Sequence, residues 1–429
     1  MVVLKKYLFI FSFLSNLIFS NFANSNQIFD YETEIFLNNL LFKIKTVNKF
    51  EKNIKFYIVK DNNPNAFVVA NNKIILSSAL IEQSPDYVSL LAVLAHEIGH
   101  LQYFHLEKRK DAVEQFTTIN LLSNLGLITG SILANKPDAL GGVIASQVNI
   151  NNFYLSFSRE QEREADLYSI ETLEKLNLPY ESVIKILKIL ESNALSRGFD
   201  EEYQKFSTHP IFRERYSFIE NKSKNKKFNF EEDIQDNFYF IKAKFMAHND
   251  VDNNLHKLQR DHRAYYNSIT YSKMGNLKKS LKEINSLITK YPEYIFLLET
   301  KGDILRSHGF INESIKFYKI VLNKFPNNNY IKYKIFLDTD IKNYKINDKN
   351  NFFYNYMDLL IHFPKNKYII NRFLQISLDL NKNHWINFFN LINSYDDIKD
   401  QTLKEELFKL SEKTNDKKLK KFIYDYLKI

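Results

Sequence analysis

A chain of 429 residues, with 45% hydrophobic and 25% charged residues, is long enough for two or three globular domains with sizeable cores. The absence of cysteine excludes disulfide bonds and thiolate metal sites, so any metal must be bound by histidine and carboxylate side chains. The net charge of +9 is not gathered in an arginine-rich arm, so we expect no nucleic acid among the partners and at most peripheral contact with an anionic membrane. Nine glycines and eight prolines are few, which indicates a largely helical protein.

The N-terminus has the organisation of a secretory signal peptide. Lys5 and Lys6 precede an apolar run of thirteen residues from Tyr7 to Phe19, and small residues follow at Ala23-Asn24-Ser25. The run is short for a membrane span, which needs about twenty apolar residues. We predict that residues 1–25 are cleaved on export to the periplasm. An uncleaved inner-membrane anchor is the alternative.

A helix and three short strands are predicted next. Apolar residues at helical spacing predict a helix over residues 30–48. Residues with high strand propensity predict strands at Lys55–Val59, Ala66–Ala70 and Lys73–Leu76. The second and third strands are joined at Asn71-Asn72, where asparagine tolerates a positive φ in a tight turn. We therefore expect a small β-sheet among the helices.

An H-E-x-x-H sequence at residues 96–100 lies inside an apolar helical pattern. Residues four apart share one face of a helix, so His96 and His100 can present two imidazoles to one metal ion. Glu97 lies one step round the helix, where its carboxylate can take a proton from a water molecule without being a ligand. This pattern predicts a zinc site. His105 lies well round the helix from His100 and is predicted not to be a ligand.

A two-histidine site in a chain without cysteine needs a carboxylate from another element. An acidic helical segment begins at Ser158, and in it Glu162 and Asp166 form an i, i+4 pair. One of these carboxylates can bind the metal while the other hydrogen-bonds a ligand imidazole from behind. Gly99, inside the first helix, suits a close approach by another element near the metal.

Two further segments lie near this pattern in the sequence. Residues 119–150 are apolar and rich in small residues, and we interpret them as short packed helices or a cover over the cleft. A membrane hairpin is the alternative. Thr208-His209-Pro210 places a histidine in a loop before a new helix, since proline fixes the backbone there.

A basic polar stretch at residues 222–227 marks a change in character, and we place a domain boundary after residue 228. Three pairs of residues beyond it recur at a spacing of 34: Gly275 and Gly309, Ser280 and Ser314, and Pro292 and Pro326. This spacing is typical of antiparallel helix pairs that stack into a solenoid. We predict an all-α repeat domain over residues 229–429, with the clearest repeats at 261–294 and 295–328.

Three motifs together resemble a known zinc endopeptidase family. They are His96-Glu97-x-x-His100, the segment from Ser158 to Asp166, and Thr208-His209-Pro210. The family includes the HtpX heat-shock proteases and the CAAX prenyl proteases, and the resemblance covers residues 55–220. The signal peptide and the C-terminal tetratricopeptide repeats are most similar to the periplasmic BepA-like branch. The resemblance implies an α+β, mostly helical protein: a zincin-type metalloprotease domain at residues 26–228, then an all-α tetratricopeptide solenoid.

The resemblance also implies the roles of individual residues. One zinc ion per chain would be bound by His96, His100 and Glu162, with Glu97 as the general base. Asp166 would support the ligands from behind. His209 matches a family histidine placed near the metal, either as an oxyanion stabiliser or as a fourth ligand. An extended substrate would pair with an edge strand formed by Ala66, Phe67, Val68 and Val69.

The expected function is that of an exported zinc endopeptidase acting on unfolded or misassembled envelope proteins. Its substrates would be unfolded outer-membrane β-barrel proteins. The repeats would hold substrate or dock on the outer-membrane assembly machinery. The alternative is a repeat-based periplasmic chaperone or scaffold whose zinc site is latent and closed by His209.

Overall fold

The computed structural model describes residues 27–69, 71–108, 157–196, 215, 219, 230–252, 255–395 and 400–428. The predicted signal peptide, residues 119–150 and the Thr208-His209-Pro210 motif lie outside the described residues. The chain divides into two compact units, residues 1–263 and 264–429. Within the described ranges, no helix combines the length and the apolar character that a membrane span requires.

The first unit combines a small sheet with helices, which confirms the predicted α+β, mostly helical class. Its elements in chain order are β1 (Gln27–Ile28), α1 (Tyr31–Asn48), β2 (Lys55–Val59), β3 (Ala66–Val69), β4 (Lys73–Ser77), α2 (Ser78–Gln83), α3 (Tyr87–Gln102), α4 (Arg159–Lys175), α5 (Glu181–Ser196) and α6 (Glu232–His248).

The sheet has the strand order β1-β2-β4-β3, which leaves β3 at one edge. Strands β2 and β4 are parallel, whereas β3 pairs with β4 in antiparallel fashion, with Phe67 opposite Ile75. Asn71 and Asn72 have φ angles of 64° and 54°. Both positions need a positive φ in the tight turns that suit the twist of a hairpin, which explains the two asparagines. The strand β3 packs beside α3.

The helices that position the site are capped by short polar side chains. Asp86 accepts a hydrogen bond from the backbone N–H of Ser89 at 2.7 Å and so fixes the start of α3. Ser158 caps α4, and Gln161 returns a bond to the Ser158 backbone N–H, which completes a capping box. These caps satisfy backbone donors that have no partner within the helix, and they set where each helix begins.

The helix α6 packs against α1 within the first unit. Phe238 is fully buried, and its ring stacks on that of Phe36 with the centroids 5.9 Å apart. Lys244 pairs with Asp30 at 2.5 Å and also with Glu32. The first compact unit therefore extends to Arg263, beyond the composition change near residue 228. The domain limits 26–228 and 229–429 remain predictions.

We expect Lys244→Met to lower the free energy of unfolding by about 3 kcal/mol, because it removes the cation from between the buried carboxylate of Glu32 and the half-buried carboxylate of Asp30. Urea unfolding of the purified protein would measure the loss. Lys43→Met is the matched control, since Lys43 pairs with Glu231 at 2.9 Å with side chains 27% and 40% exposed. That pair should contribute less than about 1 kcal/mol. Equal losses in the two variants would contradict the prediction.

The pH dependence of this contact follows from the pKa of Asp30. Burial alone would raise that pKa, but the charge and hydrogen bond of Lys244 outweigh burial and lower it below its usual value of 3.8. A carboxyl whose folded-state pKa is lowered contributes stability above its unfolded-state pKa. This contribution is lost as the pH falls through the folded-state pKa. Acidification below about pH 4 should therefore shrink the difference between wild type and Lys244→Met.

The regular secondary structure of the second unit consists of helices alone within its described residues. The elements that form it, with α7 crossing the boundary, are α7 (Arg260–Lys273), α8 (Leu277–Lys290), α9 (Phe296–Ser307), α10 (Ile311–Lys324), α11 (Asn329–Asp338), α12 (Ile346–Asn355), α13 (Leu359–His362), α14 (Lys367–Asp379), α15 (Asn383–Ser394), α16 (Gln401–Lys413) and α17 (Lys417–Tyr426).

The first two helix pairs turn in the same way. Gly275 and Gly309 have φ angles of 77° and 83°, a conformation that glycine adopts without strain. The residue after each glycine donates its backbone N–H to a carbonyl five residues back, at 2.8 Å and 2.9 Å. Ser280 and Ser314 are both fully buried. The 34-residue recurrence thus corresponds to repeated local geometry, and its assignment as tetratricopeptide repeats remains a prediction.

Candidate metal centre

Two imidazoles converge from helix α3. His96 and His100 lie one turn apart on its buried face, with 7% and 0% exposure. Their Nε2 atoms are 3.1 Å apart. The two histidines therefore share one helix face, as predicted, and both Nε2 atoms lie in the same small region.

Glu162 on helix α4 completes a group of three. Its Oε2 lies 3.4 Å from Nε2 of His96, and its Oε1 lies 3.5 Å from Nε2 of His100. The three side chains are buried, and their ligand atoms all lie within 4.8 Å of one another. The structure brings together the three residues that the sequence analysis named as ligands.

Close packing of α3 against α4 makes this convergence possible. A Cβ atom added at Gly99 would lie 3.0 Å from Cα of Ala165 and 3.1 Å from Cβ of Tyr168. Because ordinary Cβ contacts are longer, a larger residue at position 99 would push the two helices apart. The glycine therefore has the role expected of it, since it lets α4 bring Glu162 to the histidines.

Asp166 supports His96 from behind. Its Oδ1 lies 2.9 Å from Nδ1 of His96. Arg215 donates two hydrogen bonds to the same carboxylate, from Nε to Oδ2 at 2.7 Å and from Nη2 to Oδ1 at 2.7 Å. A carboxylate can only accept, so His96 donates from Nδ1 and keeps the Nε2 lone pair for a metal. Arg215 also lies 3.2 Å from Oε2 of Glu162, so one buried guanidinium contacts both acidic residues.

The charges of the site shift the pKa values of its members in opposite directions. Burial raises the pKa of Asp166, but the charge of Arg215 and the bond from His96 outweigh burial and lower it. Burial lowers the pKa of His96, but Asp166 and Glu162 outweigh burial and raise it. The carboxylates of Glu162 and Asp166 and the guanidinium of Arg215 together have a net charge of about −1. That charge attracts a proton or a metal cation, and the two compete.

The rear of His100 is supported by residues that the sequence analysis did not assign to the site. Nδ1 of His100 lies 2.9 Å from Nδ1 of His105, and Nε2 of His105 lies 2.8 Å from Oε2 of Glu164. Phe157 stacks on the His100 ring with the centroids 3.8 Å apart. The group of three candidate ligands is formed by His96, His100 and Glu162, without His105. His105 is nevertheless fully buried, and burial lowers its pKa despite the charge of Glu164.

Chain reversal explains how His105 reaches this position. Helix α3 ends at Gln102, and Phe104 has a φ angle of 57°. This left-handed residue turns the chain, so His105 does not continue around the helix as its spacing from His100 would suggest. Phe104 itself is 52% exposed. No local sequence pattern marks a phenylalanine as a site of positive φ, so the reversal could not be foreseen.

The remaining predicted site residues fall in three places. Glu97 is 2% exposed and directly follows His96 on α3. His209 lies outside the described residues. The predicted substrate-binding residues form β3, and in this strand alternate side chains are buried and half-buried. The four residues of this edge strand are Ala66, Phe67, Val68 and Val69.

The donor set fits a catalytic metal site. Two imidazole nitrogens and one carboxylate are a ligand set that zinc uses when one coordination position is left for water or substrate. Each imidazole has its rear nitrogen hydrogen-bonded, which fixes its orientation. A further buried carboxylate belongs to Glu97, the residue that follows His96 on α3. The arrangement is suited to metal-assisted hydrolysis.

Comparisons with known proteins agree with this geometry. Residues 40–223 match peptidase family M48. The chain is 23% identical to the beta-barrel assembly-enhancing protease of Yersinia pestis over an alignment of 273 residues. This alignment covers 61% of this chain and 55% of the relative. It is 21% identical to the protein of the same name from Escherichia coli K12 over an alignment of 297 residues. This alignment covers 66% of this chain and 60% of the relative. The metalloprotease YcaL of Escherichia coli K12 is 24% identical over an alignment of 176 residues. This alignment covers 41% of this chain and 64% of YcaL.

The two assembly-enhancing proteases are thus matched over 55% and 60% of their own length. The family match at residues 40–223 includes the three ligand candidates, Glu97 and Asp166.

Proposed function

From the match of residues 40–223 to peptidase family M48, we propose that the protein is a zinc-dependent endopeptidase acting on unfolded or misassembled envelope proteins. The observation that carries the proposal is the buried group of His96, His100 and Glu162, together with the buried residue Glu97 that follows His96 on the same helix. Such a group on a helix pair, with rear support for each imidazole, is what hydrolytic metal chemistry requires.

One zinc ion per chain would be held by Nε2 of His96, Nε2 of His100 and a carboxylate oxygen of Glu162. When bound, zinc supplies a Lewis acid that polarises a peptide carbonyl and acidifies a water molecule. The net negative charge of the buried side chains favours a divalent cation there. Asp166, itself held by Arg215, keeps His96 from turning its lone pair away.

Glu97 performs the proton transfers. Its carboxylate takes a proton from the attacking water as the water oxygen bonds to the carbonyl carbon. It then returns that proton to the amide nitrogen as the carbon–nitrogen bond breaks. The balance is one amide and one water consumed, with a carboxylic acid and an amine formed, which ionise to a carboxylate and an ammonium group. We assign His209 to the oxyanion, with a fourth-ligand role in a resting state as the other option.

The substrate would lie along β3. This strand is at the edge of the sheet and beside α3, so an extended peptide paired with it would run close to the ligands. Pairing of this kind requires an unfolded segment, because a folded substrate already uses its backbone N–H and C=O groups. This requirement supports unfolded proteins as the substrate class.

The biological setting is proposed from three separate observations. The N-terminal sequence has the pattern of an export signal, which supports a periplasmic location. Two relatives bear the name beta-barrel assembly-enhancing protease. The second unit contains helix pairs with a 34-residue recurrence, which suits the binding of protein partners. We propose that this unit holds substrate or docks on the outer-membrane assembly machinery.

We expect the purified protein with zinc to degrade an outer-membrane β-barrel protein when that substrate is unfolded, and to leave it intact when folded in detergent. Gel electrophoresis over time would measure both. An unfolded soluble protein of similar length is the control for preference. If that control is cut equally fast, the endopeptidase assignment stands but the β-barrel preference is wrong. If no unfolded substrate is cut, the proposed activity is wrong.

A further inference from the structure

The two candidate ligand imidazoles are supported from behind by different chemistry. Behind His96 stands a carboxylate, Asp166, whereas behind His100 stands another imidazole, His105. His105 is in turn backed by the carboxylate of Glu164 at 2.8 Å. This gives a chain of hydrogen-bonding groups that runs from a partly exposed acid, through a buried histidine, to a ligand.

The direction of the bonds in this chain follows from the chemistry of its outer end. A carboxylate only accepts, so Nε2 of His105 must carry the hydrogen that it donates to Glu164. In a neutral imidazole the other nitrogen then has a lone pair, and Nδ1 of His105 becomes an acceptor. Nδ1 of His100, 2.9 Å away, must therefore be the donor. Its Nε2 is left with the lone pair, on the side of Glu162 and His96.

We propose that His105, backed by Glu164, is a positioning residue that selects the Nδ1–H tautomer of His100 and so prepares its Nε2 to bind the metal. Phe157, stacked on the His100 ring, restricts rotation of the ring but has no hydrogen-bonding group to select a tautomer. This role differs from that of a histidine that only fills space in the core, because it requires a hydrogen-bond acceptor at Nδ1 of His105. It rests on the proposed metal site.

Two substitutions at position 105 distinguish the effect of its hydrogen-bond acceptor from the effect of its side-chain volume. His105→Asn places Oδ1 where Nδ1 stands, two bonds beyond Cβ, and so keeps an acceptor for His100. His105→Leu fills similar space without one. Zinc affinity would be measured by competition with a chromogenic chelator. We expect His105→Leu to bind zinc about 10–100-fold more weakly than wild type, and His105→Asn to stay close to wild type.

A spectroscopic readout tests the tautomer itself. In protein labelled with ¹⁵N at histidine and loaded with zinc, the Nδ1–H proton of His100 should be protected from exchange in wild type and in His105→Asn. The protection should be lost in His105→Leu. A general loss of packing would not separate the asparagine variant from the leucine variant.

The possible outcomes distinguish failure of the proposed zinc site from failure of the positioning role of His105. If wild type binds no zinc, the proposed function fails and this inference fails with it. If wild type binds zinc and the two variants are equally weakened, or neither is, only the positioning role of His105 is overturned. If both variants fail to fold, as judged by circular dichroism, the pair Glu164→Gln and Glu164→Ala decides instead. The Glu164 side chain is 41% exposed, so both changes should fold. Weaker zinc binding in the alanine variant alone supports the proposal, and equal binding overturns it.

Discussion

Glu97→Gln should abolish proteolysis while leaving zinc bound. The glutamine keeps the shape of the buried side chain but cannot take a proton from the attacking water, and general base catalysis of this kind contributes about 10²–10⁴-fold in rate. Glu97 is not one of the three residues whose ligand atoms converge. The zinc content should therefore stay at one ion per chain. The measurements are the turnover of an unfolded substrate and the zinc content of the purified variant.

Glu107→Gln is the matched control for this experiment. It makes the same chemical change at an exposed position beyond the end of helix α3. Its turnover should equal that of wild type. If Glu97→Gln retained full activity with zinc bound, another group would have to be the base, and the mechanism proposed for Glu97 would be wrong.

Glu162→Gln should remove the metal. A neutral amide is a weaker ligand than a carboxylate, and the change also brings the net charge of Glu162, Asp166 and Arg215 from about −1 to about zero. The loss of affinity should exceed the roughly 10–100-fold that changes to outer supporting residues cause. Elemental analysis after dialysis would show wild type with zinc and the variant without it, and proteolysis should fall with the metal.

Thermal stability gives an independent readout of the same substitution. A ligand that binds only the folded state stabilises it by about 2.7 kcal/mol at a free concentration of 100 times Kd. Wild type should gain this increment when zinc is added, and Glu162→Gln should not. Glu160→Gln is the control, because Glu160 is exposed in the first turn of the same helix. A zinc-dependent gain in Glu162→Gln equal to that of wild type would exclude Glu162 as a ligand.

Some residues of the site could be predicted from local sequence spacing, whereas others are brought to it only by tertiary contacts. His96 and His100 were predictable, because their common face depends only on helical periodicity within α3. Glu162 and Asp166 were predictable as a pair for the same reason, together with the absence of cysteine. Arg215 was not, because its ion pairs with Asp166 and Glu162 join segments about fifty residues apart in the sequence. A sequence pattern shows that an arginine is present but not which carboxylates it contacts.

The sequence by itself determined the elements that depend on short spacings. These are the helix that carries His96, Glu97 and His100, the turn at Asn71-Asn72, and the 34-residue recurrence of Gly275 and Gly309. In each case, neighbouring side chains and backbone preferences decide the conformation.

Only the tertiary structure decided which distant groups meet. Phe238 and Lys244 of α6 contact Phe36 and Asp30, which lie about two hundred residues earlier in the same unit, and no local spacing predicts such contacts. The tertiary structure also turned the chain at Phe104, so that a histidine expected to lie away from the site became the support of His100. Phenylalanine rarely adopts the left-handed conformation of Phe104, so the surrounding structure, and not a local preference, decides this turn.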